Sequence, residues 1–132
     1  MRMLMDQATR KKILIVDDDP DIQATLKKRL NSQGFDCSTA NTISTGLQKL
    51  NSESPDLVIL DLGFPGPNGT AFLQNAKNYL PAERGIPPIL VLSCYKDKEI
   101  VDLVLNEGAV GFVPKPYDSS ALISTIRSFL DS

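Results

Sequence analysis

The chain contains no histidine and only two cysteines among its 132 residues. Without histidine, the usual general base at neutral pH and the commonest transition-metal ligand are both missing. Cys37 and Cys94 are too far apart in sequence to form the paired thiolates of a zinc site. Both fall in expected strands and read as small buried hydrophobes rather than as a reactive pair. No apolar run is long enough to cross a bilayer. The opening stretch from Met1 to Met5 is too short, and too broken by Arg2, for a signal-peptide core. A cytoplasmic location with reduced thiols is therefore expected. Basic residues are not in excess either: 14 Lys and Arg stand against 16 Asp and Glu. The one basic run, Arg10-Lys11-Lys12, is too short to mark a nucleic-acid surface.

What remains is an ordinary globular composition, 42% apolar and 23% charged, in one domain's length of chain. Residues 1–11 show no periodicity and read as a short mobile lead, leaving 12–132 as the domain. Residues 12–16 are an aliphatic, β-branched run of central-strand type. Asp19 then suits a helix N-cap and Pro20 its first turn. Ile22, Leu26 and Leu30 stripe that helix and Gly34 stops it. The same pattern recurs four times. A polar strand at 35–40, expected near an edge, leads to a helix striped by Ile43, Leu47 and Leu50. An apolar strand at 57–60 leads to one striped by Phe72, Leu73, Ala76 and Leu80. After a loop over 81–88, a strand at 89–92 leads to a helix starting at Asp97 with Ile100, Val101, Val104 and Leu105 on its stripe. A last short strand at 110–113 precedes Lys115-Pro116 and a helix capped by Asp118, striped by Leu122, Ile126 and Phe129. Five strands alternating with five helices predict an α/β, doubly wound parallel sheet.

In such sheets ligands bind beyond the carboxyl ends of the strands. Those ends carry Asp17, Asp18 and Asp19, then Asp61, then Ser93, then Lys115. Taken singly these are a solvated corner, a helix cap, a turn hydroxyl and a surface lysine. Brought to one rim, carboxylates repel: a pair about 4 Å apart costs about 4 kcal/mol at an effective dielectric near 20. Either one takes a proton or a cation sits among them. A hard divalent ion such as Mg2+ suits oxygen ligands and keeps several waters. With a hydroxyl and a lysine added, the chemistry narrows to phosphate, with Asp61 as a nucleophile that needs no base because it is already an anion.

From Lys12 to Leu130 the chain resembles the receiver domain of two-component response regulators. The resemblance rests on the acidic pair, the later Asp, the Ser and the Lys-Pro in that order at successive strand ends. It implies a five-stranded flavodoxin-like (βα)5 fold with strand order 2-1-3-4-5. Asp17 and Asp18 match the Mg2+-binding acids, Asp61 the phosphoacceptor, and Gly63 the position whose backbone carbonyl also meets the metal. Ser93 and Lys115 match the phosphate-binding hydroxyl and lysine, and Ser93 with Phe112 the switch pair. A cis bond before Pro116 is usual in the family. The implied biology is a signalling domain that catalyses only its own phosphorylation and dephosphorylation. Its partners are a sensor histidine kinase or histidine phosphotransfer protein, and either a downstream protein or an output domain outside this stretch. The resemblance implies a binding face made of the fourth helix, fifth strand and fifth helix, and a phosphorylation-dependent dimer is among the expected partners. Direct nucleic-acid or membrane binding by this stretch is not expected. The bland reading of Phe112 is a packed core aromatic.

The chain departs from the family at Phe64, where Met is frequent, and at Cys94, where a smaller residue is usual. Tyr95 is expected to shield the acyl phosphate from water, and Leu103, beyond the buried stripe of its helix, hints at a binding face. Three other readings compete. A haloacid-dehalogenase-type phosphohydrolase would need a second Asp where Gly63 stands. A flavin-binding domain would need a phosphate-cradling loop where three aspartates stand. An inactive scaffold would lack one of the required side chains, and none is missing.

Overall fold

A computed structural model describes residues 10–62, 67–81, 83–95 and 97–130. Residues 1–9, most of the expected lead, lie outside the described residues, as do Gly63 and Phe64. The elements run β1 (Lys12–Val16), α1 (Pro20–Ser32), β2 (Asp36–Ala40), α2 (Ile43–Glu53), β3 (Leu57–Leu62), α3 (Pro67–Asn75), β4 (Ile89–Ser93), α4 (Lys98–Asn106), β5 (Gly111–Pro114) and α5 (Ser119–Leu130). All strand pairs are parallel, in the order β2-β1-β3-β4-β5. The polar strand β2 is an edge, as its composition suggested, and the order reverses beside β1.

The strands are apolar at consecutive positions because both faces of the sheet are covered. Leu14, Val16, Val58, Leu60, Ile89 and Val91 face one core, which α2, α3 and α4 complete with Leu47, Leu50, Phe72 and Val104. Ile13, Ile15, Leu57, Ile59, Leu90 and Leu92 face the other, completed by Leu26 and Leu30 of α1 and Leu122 and Ile126 of α5. Alternate residues of one strand therefore serve opposite cores, the period-two geometry of an extended chain. Gly34 and Gly108 follow α1 and α4 with φ of +94° and +115°, the left-handed backbone that ends a helix at little cost for glycine.

Several expectations are corrected. Ile22 is 40% exposed and Gln23, next to it, is 4% exposed, so α1 buries Gln23, Leu26 and Leu30. A spacing of three then four residues follows the 3.6-residue turn as well as two spacings of four, and the polar residue takes the inward place for its hydrogen bonds. On α4, Leu105 and Leu103 are exposed and only Val104 is buried. Asp97 precedes α4 without a side-chain capping bond. The helix expected to continue through Leu80 gives way to a 3-10 turn over Ala76–Tyr79. Val110 is exposed and precedes β5. Cys37 is buried, its thiol pushed up to about 12 by burial, whereas Cys94 is exposed just past β4.

Gly46 illustrates how closely α2 approaches β1. A Cβ there would stand 2.9 Å from Val16 Cγ2 and 3.1 Å from Phe72 Cε2. Alanine normally favours a helix over glycine by about 1 kcal/mol, but overpacking a core costs roughly 1–3 kcal/mol. Gly46→Ala is expected to lower stability by about 1–2 kcal/mol. A urea midpoint at or above that of the unsubstituted protein would contradict the close packing.

Candidate functional site

The site is built at the carboxyl ends of β1, β3, β4 and β5, next to the reversal in strand order. Asp61 belongs to β3 itself, which runs through Leu62. The apolar residues 57–60 before it are fully buried, 58–60 pair with both β1 and β4, and Asp61 itself continues the β4 ladder opposite Leu92. The Asp61 side chain is only 2% exposed. Its Oδ1 accepts a hydrogen bond from Lys115 Nζ at 2.7 Å, and the same ammonium lies against Oδ2. The contact with Oδ2 is short but poorly directed, and among the described residues that buried oxygen accepts no hydrogen bond of good geometry.

Asp17 immediately follows β1 and is buried, while Asp18 is exposed. Asp17 Oδ1 accepts from the Asp19 backbone N–H at 3.0 Å, and Asp19 Oδ1 accepts from Asp21 and Ile22 backbone N–H groups, capping α1. One turn thus carries two acids toward the rim and uses the third to hold the helix. Burial pushes the Asp17 carboxyl up from 3.8 to about 6, against the Asp19 hydrogen bond and with the negative charges of Asp61 and Asp18. Burial also raises the Asp61 carboxyl above the ordinary carboxylate range, against the pull of Lys115. Burial by itself would lower the Lys115 ammonium, but the hydrogen bond and charge of Asp61 outweigh it, so Lys115 is held charged.

Ser93 ends β4 and is fully buried. Its hydroxyl oxygen accepts from the Tyr95 backbone N–H at 3.0 Å, and its carbonyl accepts from the Lys115 backbone N–H at 2.9 Å. The loop bearing Lys115 is thereby fastened to the strand bearing Ser93. The Lys115–Pro116 peptide bond is cis. Phe112, on β5, is half-buried against the core under α2, α3 and α4. Asp17, Asp61 and Lys115 are therefore brought into mutual electrostatic reach, with Ser93 at the adjoining strand end. Gly63 lies outside the described residues, and among those described no three Asp, Glu, Cys or His side chains form a ready metal cage.

Two neighbours were missed in the sequence. Tyr117, two residues beyond Lys115, is half-buried, and burial and the Asp61 charge raise its phenol. It lines a groove with Ile22, Thr25, Leu26 and Arg29 of α1. Gln23 sits behind Asp17 and donates to its carbonyl. The exposed apolar Ile22 and the aromatic just past Lys-Pro were the available signals for that groove. Gln23 left none, because a lone glutamine in a helix has no chemical signature.

Comparison with known proteins places this geometry. The family model described as Response regulator receiver domain matches residues 13–127. The DNA-binding response regulator MtrA of Mycolicibacterium smegmatis is 36% identical over 121 residues, 92% of this chain and 51% of the relative. The transcriptional regulatory protein KdpE of Mycobacterium tuberculosis is 32% identical over 116 residues, 88% of this chain and 49% of the relative. The chain thus spans about half the length of these curated relatives. A CheY-like response regulator receiver domain protein from Methanospirillum hungatei superposes with a TM-score of 0.81 at 31% identity, covering 92% of this chain and 94% of that one. With the expected strand order and a family match over nearly its whole length, the chain belongs to the receiver domains of two-component response regulators.

Proposed function

We propose that this receiver takes a phosphoryl group onto Asp61 from a phosphohistidine on a sensor histidine kinase or histidine phosphotransfer protein. An Asp61 carboxylate oxygen forms the new bond to phosphorus, the phosphorus–nitrogen bond breaks, and the imidazole leaves with its electron pair and takes up a proton. Lys115 and Ser93 hold phosphoryl oxygens as charge develops on them, so positioning and electrostatics carry the catalysis. The observation that carries this reading is Asp61 itself, a buried carboxylate at the end of a central strand with Lys115 Nζ 2.7 Å from Oδ1. Nothing in this chemistry calls for the missing histidine. The reaction is limited to the domain's own phosphorylation and dephosphorylation, and its compartment is the cytoplasm.

The residues fit Mg2+. Their donors are all oxygens, Asp61 Oδ2 is a buried acceptor with no well-directed hydrogen bond among the described residues, and Asp17 is under repulsion from Asp61 and Asp18. Asp17, Asp18, Asp61 and the Gly63 backbone carbonyl would hold the ion, with water completing its shell. When bound, Mg2+ supplies positive charge that offsets the charge developing on the phosphoryl oxygens. Residues 12–132 act as the receiver, with 1–11 as its lead.

Conversion of the Asp61 carboxylate to an acyl phosphate, a net gain of about one negative charge spread over three phosphoryl oxygens, then draws the Ser93 hydroxyl toward the phosphoryl group and turns Phe112 inward. The face of α4, β5 and α5 changes as a result and is read by a downstream protein, by an output domain or by a second phosphorylated copy. MtrA is named as DNA-binding and is about twice as long as this chain. An output of that class fits the length difference, and nucleic-acid binding would reside in it rather than in the receiver.

The test is incubation with Mg2+ and a small phosphodonor, followed by intact mass. A single phosphoryl adduct is expected, absent from Asp61→Asn. No adduct with any donor, or an adduct that survives Asp61→Asn, would overturn the reading.

A further inference from the structure

We propose that Gln23 is a positioning residue for the acidic pair: its side-chain amide clamps the β1–α1 turn in the form that presents Asp17 and Asp18 to a divalent cation. The inference rests on the function proposed above. Gln23 is one of the few polar side chains buried in the fold, and it occupies a place on α1 that an apolar residue would ordinarily fill. Its Nε2 donates to two backbone carbonyls, Asp17 O at 3.0 Å and Ala40 O at 2.7 Å. An amide nitrogen carries two hydrogens, so both are used.

These two acceptors are special. They lie at the carboxyl ends of β1 and β2, at and one step past the last pair of the regular ladder, Val16 with Ala40. Ala40 O also accepts the Asp17 backbone N–H at 3.0 Å. Asp17 is therefore gripped at its N–H by β2 and at its carbonyl by Gln23, while its Oδ1 is occupied by the Asp19 N–H. Because Gln23 stands on the first turns of α1, the same amide fixes how the helix start sits over the two strand ends. Asp18 lies between the gripped Asp17 and the capping Asp19, so its direction follows from theirs. Methionine is nearly isosteric with glutamine but has no donor. In its place, both carbonyls would lose a buried partner and the turn its hold.

Residues that orient metal ligands from behind typically change metal affinity by roughly ten- to a hundredfold when replaced. Gln23→Met is accordingly expected to raise the Mg2+ dissociation constant, measured by calorimetry, by roughly tenfold or more. It is also expected to speed hydrogen exchange of the Asp17 amide relative to the amides of Leu14 and Ile15. Leu30→Ala serves as the control: it lies on the same helix, fully buried, away from the turn. It should destabilise the fold while leaving Mg2+ affinity and relative Asp17 exchange unchanged. A folded Gln23→Met protein with unaltered Mg2+ affinity would overturn the proposal, as would one in which Asp17 exchange moves only with global stability. If the unsubstituted protein binds no Mg2+, the functional reading fails, while the exchange measurement still decides whether Gln23 holds the turn.

Discussion

Lys115→Met is expected to destabilise the protein by about 3–5 kcal/mol at pH 8 and by clearly less at pH 5. The substitution keeps much of the aliphatic stem and removes the ammonium that sits on Asp61 at 2.7 Å. What is left is a carboxylate whose side chain is 2% exposed, with no cation beside it. The desolvation of that charge is then uncompensated, which is why breaking a buried pair costs more than the pair contributes. The pH dependence follows from the direction in which Asp61 is moved. Burial already raises its carboxyl above the unfolded value, so the folded form binds a proton more tightly than the unfolded chain. Stability from this group is therefore greatest at low pH and falls as pH rises from the unfolded value through the folded one. Without Lys115 the folded value moves higher and the fall extends further. Urea unfolding at the two pH values checks this, and an equal loss at both would contradict it. On the function proposed above, phosphoryl uptake is also expected to fall sharply, since Lys115 is the residue proposed to meet the incoming oxygens.

Asp17→Asn has the opposite sign. In the absence of divalent cations it is expected to stabilise the protein at pH 7–8 by roughly 1–2 kcal/mol, less than the full change in proton affinity because water and the neighbouring ammonium screen the charge. Asp17 is lifted from 3.8 to about 6, first by burial and then by the charges of Asp61 and Asp18. The unsubstituted protein therefore loses stability as pH rises from about 4 to about 6, the window between the two values. Asparagine does not ionise there, yet its Oδ1 can still accept the Asp19 N–H. The two proteins should converge in stability near pH 4 and separate by pH 7. Thermal unfolding across this range in chelator is the measurement, and parallel curves would sink the assignment. Adding Mg2+ should narrow the gap by stabilising only the unsubstituted protein. Together the two substitutions describe a site in which one buried carboxylate is offset by an ammonium and the other is not.

The elements that could be read from the chain are those whose patterning is dictated by burial on two sides. Residues 57–60 and 89–92 had to be central strands because continuous aliphatic runs of that length fit little else. The strand-end acids, Ser93 and Lys115 could be grouped because parallel topology sends every carboxyl end to one rim. What escaped depends on finer geometry. Ile22 and Gln23 differ by one residue, about 100° around a helix, and hydrophobicity favours the wrong one unless the carbonyls awaiting Gln23 are known. Leu103, Val104 and Leu105 are similar in polarity, so the single buried member can be chosen only once β5 is in place. Cys94 follows a fully buried strand, and only the chain's turn after Ser93 puts its thiol outside.

The strand order has a consequence for assembly. β2, β1 and β3 are neighbours in the sheet and are all contained in the first 62 residues, whereas β4 and β5 add in succession to one side. Asp17, Asp18 and Asp61 therefore come from the first half of the chain, and Ser93 and Lys115 from the second. Until β5 is paired with β4, the carboxylates of the first half stand without the Lys115 ammonium that rests on Asp61. The charge balance of the rim is thus completed only by the strand at the far edge of the sheet from β2.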